Sequence, residues 1–428
     1  MIGKLKDKGC CLGIVMIAAV LLGGCGEDLL SADQTEDMKT EKEEIVLSVL
    51  AGQSTSDAGI EDMIDDFLAE KFPDVRLEWE CVDWGESFES QLQGRVAAGD
   101  VPDIMIGKAQ DVGTYAREGI LAPIQMEQLA TIDQAALETV TVDGEVYGMP
   151  YNAWYQGVIY NKDIFGELGL QAPDTLEELE HIVNVCTEHD IVPFAVHLQE
   201  NWKVANMTMQ FLTEGVFAKD RAWGERFRAG TVRFSDDAGV QKAIGQNRYL
   251  CENTWSDAWT IDQSESDKRF AEGGAAMYLT GTWSLQSVDQ YTEEAHFGIF
   301  PYPIGDNPRL IREINMTYMI SSASKHRQLI EEIFAGLISD VDLMQEILGF
   351  TQTYSIVDGI ASGYRSNVQE DIDRYEENGG VIGADVGNRQ LVWNFQSSLA
   401  AEIMRWLKDE ITLPEVLRYA DDRADTSG

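Results

Sequence analysis

Positive charge is scarce in this sequence. Its 428 residues include 32 Lys and Arg against 74 Asp and Glu, which gives a formal net charge of -42 at pH 7. Nucleic acids and anionic membrane surfaces are bound through clusters of Lys and Arg. The composition therefore argues against nucleic acid and anionic lipid as main partners. It also disfavours a strongly anionic ligand, unless local cations override the overall field.

Cysteine is scarce as well. Three of the six cysteines fall within the first 25 residues, and the later ones are Cys81, Cys186 and Cys251. Three widely separated cysteines predict neither a disulfide framework nor a zinc site. Each of them lies in an apolar pattern, so we expect small buried side chains at these positions.

Familiar catalytic patterns are absent. The five histidines include no HExxH motif and no pair four residues apart, which argues against a zinc site. The sequence contains no GxSxG nucleophile elbow and no GxxxxGK[ST] phosphate loop. The carboxylate pair of a glycoside hydrolase is recognised by the distance between its two carboxyl groups, which a sequence does not reveal. We therefore expect no enzyme activity, no cofactor and no bound metal, with a surface glycoside hydrolase as an open alternative.

A charge-free apolar run near the N-terminus is too short to cross a bilayer. It extends from Leu12 to Leu22 and is preceded by Lys4, Lys6 and Lys8. A membrane-spanning helix needs about 20 apolar residues. A basic segment followed by a shorter apolar one is instead typical of a secretory signal.

The apolar run ends in the sequence LLGGC at residues 21–25. This motif resembles the lipobox of bacterial lipoproteins, in which the cysteine thiol is diacylated and becomes the new N-terminus. The resemblance implies that residues 1–24 are a signal peptide and that lipid on Cys25 anchors the protein at the extracellular face of the cell membrane. Residues 25–43 are acidic without a periodic apolar face, which predicts a disordered linker. The alternative is an ordinary secretory signal with a chance cysteine.

The rest of the chain has the composition of a globular protein, with 44% apolar residues and ten tryptophans. Its first part alternates between strand and helix patterns, which favours right-handed crossovers and a mainly parallel sheet. Ligands bind such sheets beyond the carboxyl ends of the strands. The pattern predicts strands at 44–50, 75–82 and 104–106, helices at 60–68 and 88–96, and a ligand-binding edge formed by 53–57, 83–84 and 107–111.

Turn and capping residues mark several later elements. The pair Asp143-Gly144 predicts a hairpin turn. Thr175 is placed to cap a helix that begins at Leu176. Apolar residues from 391 to 407 recur at helical spacing and predict a long amphipathic helix.

Several short segments occur in the order found in one protein family. They are AAGDVPDI (97–104), GILAPI (119–124), DG (143–144) with YGMP (147–150), YNKDIF (160–165), PDTLEEL (173–179), FAEGGAAM (270–277) and GTW (281–283). This ordered set, over residues 45 to 304, resembles the family 1 extracellular solute-binding lipoproteins of carbohydrate ABC importers, which are similar in plan to maltodextrin-binding proteins. Residues 351–363 depart from the usual pattern of that family.

The resemblance implies an α/β protein with the two-lobe, periplasmic-binding-protein-like fold (type II), in which hinge strands join the lobes and a ligand cleft lies between them. The first lobe would comprise 44–152 with 295–345, and the second 153–294 with 346–428. It also implies a monomer that captures a neutral sugar or oligosaccharide outside the cell and delivers it to the transmembrane subunits of an ABC permease. Its partners would then be this carbohydrate ligand, the permease, and the membrane through the lipid at Cys25.

A sugar site needs flat aromatic side chains for the C–H faces of the ligand and polar groups for its hydroxyl edges. Trp154 and Tyr155 lie where the chain passes between the lobes, so Trp154 is either a stacking platform or hinge packing. The adjacent Asn152 is placed to offer an amide to hydroxyl groups. In relatives the aromatic residue that follows Gly281 lines the cleft, so Trp283 is a second platform or, alternatively, a core residue.

Further candidates lie at the predicted sheet edge, each with a structural alternative. They are Trp84 (a platform or a cap over the next helix), Lys108 and Asp111 (ligand contacts or a solvated pair), Gln53 and Ser54 (hydroxyl contacts or helix caps), and Tyr354 in the divergent segment. The tryptophans predicted to be core residues are Trp79, Trp223, Trp255, Trp393 and Trp406. Beside the glycoside hydrolase, a receptor for a polyamine, peptide or metal complex and a sensor subunit stay open as functions.

Overall fold

The computed structural model describes residues 44–53, 59–83, 86–292, 295–388 and 391–424. The stretch Glu44–Gly428 forms one compact unit. The predicted signal peptide, Cys25 and most of the acidic linker lie outside the described residues. Within the described ranges, no helix is both long and apolar enough to cross a membrane.

Strands and helices alternate along the chain. The strands are β1 (Ile45–Gln53), β2 (Val75–Asp83), β3 (Ile104–Lys108), β4 (Leu121–Ala122), β5 (Thr141–Val142), β6 (Glu145–Val146), β7 (Met149–Pro150), β8 (Asn152–Asn161), β9 (Met277–Gly281), β10 (Phe297–Phe300), β11 (Leu310–Ile314), β12 (Met316–Ser321), β13 (Tyr354–Ser355) and β14 (Val381–Gly383).

The helices include the ones that the apolar periodicity predicts. They are α1 (Ile60–Lys71), α2 (Glu86–Ala98), α3 (Val112–Arg117), α4 (Gln134–Thr139), α5 (Lys162–Leu168), α6 (Leu176–Glu188), α7 (Asn201–Leu212), α8 (Trp223–Arg228), α9 (Ala238–Glu252), α10 (Gln263–Ala271), α11 (Trp283–Val288), α12 (Arg327–Ser339), α13 (Val341–Thr351), α14 (Gln369–Glu377), α15 (Trp393–Leu407) and α16 (Leu413–Asp421). A π-helical turn, Thr213–Phe217, extends α7.

The first lobe is built on a sheet with the strand order β2-β1-β3-β12-β4, and β7 also pairs with β12. Strand β1 pairs in parallel with β2 and β3, as the strand–helix alternation predicts. The prediction of a mainly parallel sheet is wrong for the other half, because β12 runs antiparallel to β3, β4 and β7. The core of this lobe includes Leu50, Met105 and Phe334.

The second lobe is built on a sheet with the order β10-β8-β11-β14, to which β9 and β13 are added through β8. One face of this sheet packs on a core that includes Phe211 and Trp223. The other face packs on Phe270 and Tyr278. The molecule is thus a two-lobe α/β protein, in agreement with the fold class that the sequence predicts.

The lobes differ in extent from the predicted boundaries. Strands β10 and β11 pair with β8 in the second lobe, although 295–345 is predicted to belong to the first. In the other direction, Ile356, Val357 and Ile360 pack into the core of the first lobe, although 346–428 is predicted to belong to the second. The difference arises from strand pairing between segments far apart in the sequence, which local patterns do not encode.

Local signals agree well with the structure. Thr175 and Glu178 form a capping box at the start of α6, in which each side chain accepts a hydrogen bond from the other's backbone N–H at 3.2 Å. Asp143 and Gly144 both have positive φ, as the tight turn between β5 and β6 requires. The burial predicted for Cys81 is wrong: it is exposed because β2 is an edge strand of the first sheet.

Candidate functional site

Asn152 joins the segments that pass between the two lobes. Its Oδ1 accepts a hydrogen bond from the Met316 backbone N–H at 2.9 Å, and its Nδ2 donates to Thr353 Oγ1 at 3.1 Å. The backbone carbonyl of Asn152 accepts from the Asn315 N–H at 3.1 Å. The side chain is fully buried. Its amide is therefore committed to the hinge in this structure.

One face of β8 carries the groups best suited to a ligand. Side chains alternate between the two faces of a strand, so Trp154 and Gln156 point to the same side. In the antiparallel register with β11, Glu313 lies directly opposite Trp154 and therefore shares that side. Trp154 and Glu313 are half-buried, and Gln156 is buried. An indole, an amide and a carboxylate are thus collected on one face beside the hinge.

Trp283 adds a second indole to this face. Its ring centroid lies 6.4 Å from that of Trp154, and the two rings meet edge to face at 86°. Gly281, which pairs with Gln156 across the sheet, makes room for it, because a Cβ at Gly281 would overlap the Trp283 ring. Both indoles are half-buried and keep part of their surface open.

A chain of hydrogen bonds runs from α7 to the hinge. Gln210 Nε2 donates to Asn206 Oδ1 at 2.9 Å, and Asn206 Nδ2 donates to Gln156 Oε1 at 3.2 Å. Gln156 in turn donates through Nε2 to the Glu313 carboxylate. Burial raises the pKa of Glu313, whereas the charge of Lys108 and the hydrogen bond from Gln156 lower it. Amide and carboxylate groups are therefore held in fixed orientations next to the two indoles.

Lys108 reaches this region from the first lobe. It lies at the end of β3, and its Nζ is 4.9 Å from the ring centroid of Trp393, the first residue of α15 in the second lobe. An ammonium group at this distance from an indole face is attracted by the ring quadrupole. The contact spans the two lobes on the side where the charge of Lys108 also acts on Glu313.

The assembled groups suit a ligand with flat apolar faces and a polar edge. Indoles stack on the former, and amides, a carboxylate and an ammonium form hydrogen bonds with the latter. Among the residues that the structure describes, no group of three or more His, Cys, Asp or Glu side chains is placed to hold a metal ion.

Comparison with known proteins identifies the family. The profile of the bacterial extracellular solute-binding proteins matches residues 51–341, which is more than half of the chain. The chain belongs to this family. The family assignment agrees with the resemblance that the ordered sequence segments indicate.

Several known proteins resemble the chain over most of its length. The multiple sugar-binding protein of Streptococcus mutans is 23% identical over 368 residues, covering 84% of each protein. A maltooligosaccharide ABC transporter solute-binding lipoprotein of Streptococcus pneumoniae is 24% identical, covering 71% of this chain and 69% of that protein. Among solved structures, a sugar transporter of Bacillus licheniformis in complex with stachyose matches with a TM-score of 0.73 at 16% identity, covering 90% of this chain and 100% of that one.

Within this solute-binding fold, the predicted site residues fall into separate groups. Trp154 and Trp283 are in contact, and Lys108 lies across from them in the first lobe. Tyr155 and Tyr354 pack together on the opposite face of the second sheet, with ring centroids 5.0 Å apart. Their hydroxyl groups are engaged by Glu376 and Ser366, respectively.

The remaining predicted residues lie at the edge of the first sheet or outside the described part. The backbone of Gln53 ends β1, opposite Asp83 of β2. Asp111 is half-buried in a short turn after β3. Ser54 and Trp84 lie outside the described residues.

Four groups at this site are not among the sequence candidates: Gln156, Asn206, Glu313 and Trp393. Gln156 could have been predicted from the sequence, because it lies two residues beyond Trp154 on a strand and therefore shares its face. Trp393 was predicted to be core from helical spacing, but it is the first residue of α15 and is half-buried. Asn206 and Glu313 reach the site through tertiary packing, which no local sequence pattern predicts.

Proposed function

We propose that this protein binds a neutral sugar or oligosaccharide between its lobes and delivers it unaltered to an ABC permease. The observation that carries the proposal is the pair of half-buried indoles, Trp154 and Trp283, set beside the chain of amide and carboxylate groups that ends at Glu313. Carbohydrate rings need this combination of apolar planes and hydrogen-bonding edges. The names of the two Streptococcus relatives, a multiple sugar-binding protein and a maltooligosaccharide-binding lipoprotein, support the same class of ligand.

Capture would proceed by a shift between open and closed arrangements of the lobes. A ligand that contacts Lys108 from the first lobe and Trp154 or Trp283 from the second stabilises the arrangement in which both reach it. Such a ligand needs no covalent chemistry to be carried. We propose that the protein acts as a monomer and that lipid on Cys25 holds it at the extracellular face of the membrane.

A screen of thermal stability across saccharides tests the proposal. Raffinose, stachyose, maltotriose, galactooligosaccharides and chitin oligosaccharides are compared with spermidine and a short peptide as non-sugar solutes. A ligand that binds only the folded state raises the melting temperature by mass action. We expect at least one neutral saccharide to do so. Stabilisation by spermidine or the peptide alone would overturn the proposal.

Incubation of the protein with labelled saccharides distinguishes binding from hydrolysis. A receptor returns its ligand intact, so chromatography after prolonged incubation is expected to recover only the starting compound. Release of shorter products would instead support the glycoside hydrolase alternative. The surroundings of Glu313 argue against a polyamine as the ligand. Its carboxylate already accepts a hydrogen bond from Gln156 and interacts with the positive charge of Lys108, which disfavours a cationic ligand at this position.

A further inference from the structure

Buried polar side chains gather where α7, α10 and α11 meet β9. They are His197, Lys203, Asp267, Tyr278 and Ser284, and each is at most 1% exposed; we call them the Lys203 cluster. Moving an ionisable group out of water costs several kcal/mol unless it is well paired. A cluster of this kind therefore needs an explanation beyond filling the core.

Lys203 binds β9 directly. Its Nζ donates to the backbone carbonyl of Leu279 at 2.5 Å and lies 4.6 Å from the ring centroid of Tyr278. The hydroxyl of Tyr278 is 3.3 Å from His197 Nδ1. Burial lowers the pKa of Lys203 to about 7 and raises that of Asp267 to about 7, so the surroundings disfavour both charges.

Helix α7 links Lys203 to the candidate site. Residues three, four and seven positions apart share one face of a helix. Lys203 therefore shares a face with Asn206 and Gln210, the two amides that continue to Gln156. Fixing Lys203 to Leu279 sets the height and rotation of α7 over the sheet, and with it the position of the Asn206 amide.

The same cluster holds the turn that carries Trp283. Ser284 follows Trp283 directly, and its Oγ lies 3.0 Å from Thr280 Oγ1 and 3.4 Å from Gln263 Nε2. Leu279, which accepts the lysine hydrogen bond, is two residues before Gly281, over which the Trp283 ring lies. One strand segment is thus tied to α7 on one side and to the start of α11 on the other.

We infer that Lys203 is a positioning residue that fixes Asn206 and Trp283 relative to each other, although its own side chain is fully buried. The lysine acts through β9: its Nζ donor holds α7 against Leu279, and the turn that begins at Gly281 continues directly from this strand. Only the affinity part of the following test rests on the proposed sugar binding.

The replacement Lys203→Met keeps an unbranched apolar side chain about as long as the lysine stem and removes the terminal amine with its hydrogen-bond donor. Thr208→Val is the matched control, because Thr208 is also buried on α7 but bonds to Val204 and Asn247, neither of which belongs to β9. Both replacements are expected to lower the melting temperature. The first readout is the indole N–H resonance of Trp283 in unliganded, nitrogen-15-labelled protein, assigned by its loss in Trp283→Phe.

We expect Lys203→Met to shift the Trp283 resonance and to weaken binding of stachyose, or of the saccharide that stabilises most in the screen, by about tenfold. Thr208→Val is expected to change neither. An unchanged resonance and affinity in a folded Lys203→Met protein would overturn the inference. If Lys203→Met does not fold, Lys203→Gln, whose shorter side chain ends before the Nζ position, makes the same comparison: a shifted Trp283 resonance supports the inference, and an unchanged one in the folded variant overturns it. The resonance decides the inference even if no saccharide binds.

Discussion

Lys108 and Trp393 meet across the two lobes, with the ammonium 4.9 Å from the indole centroid. Lys108 ends β3 in the first lobe, Trp393 begins α15 in the second, and both side chains are half-buried. In the proposed capture mechanism, a contact of this kind between the lobes favours their closed arrangement even in the absence of a ligand.

Replacing Lys108 by Met is expected to open the unliganded protein. A cation–π contact is worth about 0.5 to 2 kcal/mol, which corresponds to a population change of about 2- to 30-fold. Small-angle X-ray scattering of the unliganded variant is therefore expected to give a larger radius of gyration. Lys219→Met, which removes an exposed lysine paired with Asp306, is the control. Equal radii for wild type and Lys108→Met would contradict this role.

Trp154→Ala and Trp283→Ala are each expected to weaken saccharide binding by about tenfold or more, equivalent to about 1.4 kcal/mol, because each removes an indole face. Their melting temperatures are expected to stay close to that of the wild type, since both side chains are half-buried. Trp223→Ala is the comparison: this residue is 1% exposed in the core of the second lobe, and its loss is expected to cost about 3 to 5 kcal/mol of stability. Isothermal titration and thermal denaturation measure the two quantities. Parallel loss of stability and affinity at Trp154 and Trp283 would identify them as core residues.

Gly281→Ala is expected to reduce affinity by displacing one ring. A Cβ at this position would overlap the Trp283 indole, so either the indole or the strand has to move. Gly245→Ala is a suitable control, because a Cβ there meets no atom within 4 Å. Saccharide titration and the Trp283 indole resonance report the effect. Wild-type affinity in Gly281→Ala would mean that the position of this ring does not matter for binding.

Glu214 is expected to make stability depend on pH. It is 2% exposed, and burial raises its pKa to about 7, although a hydrogen bond from the Arg309 backbone and the charge of Arg309 act in the other direction. The folded protein therefore holds a proton that the unfolded chain releases near pH 4.5. This group favours folding in acid, and its contribution is lost as the pH rises from about 4.5 to about 7.

The free energy of unfolding of wild type relative to Glu214→Gln is expected to fall by about 3 kcal/mol between pH 4 and pH 8. Urea denaturation at a series of pH values measures this difference. Glu167→Gln, at an exposed position of the same lobe, corrects for the loss of one surface carboxylate. A difference that does not change with pH would mean that Glu214 titrates alike in the folded and unfolded chains.

The sequence was informative wherever a local pattern determines the structure. The capping box at Thr175, the turn at Asp143-Gly144 and the parallel strands β1 to β3 follow from spacing and residue type. The two indoles at Trp154 and Trp283 were also predicted as site candidates, because both follow turns in the segments that resemble the family. The structure brings these two side chains together.

Positions that depend on long-range packing were not accessible from the sequence. Glu313 faces Trp154 only because β11 pairs with β8 across more than 150 residues of chain. Asn206 reaches Gln156 because the hydrogen bond from Lys203 to Leu279 holds α7 against β9. Trp393 fits the apolar spacing of α15, and periodicity does not reveal that the first residue of a helix can remain partly open.

The single amide of Asn152 has a consequence for how the protein moves. Its side chain bonds to Met316 and Thr353, and its backbone carbonyl accepts from Asn315, so one buried residue ties three of the segments that pass between the lobes to the same point. Breaking these bonds would leave buried donors and acceptors unpaired, at about 1 to 3 kcal/mol each. We therefore expect the lobes to rotate about Asn152 as two rigid bodies. A small rotation at this residue then produces a large displacement of the lobe surfaces that lie far from it.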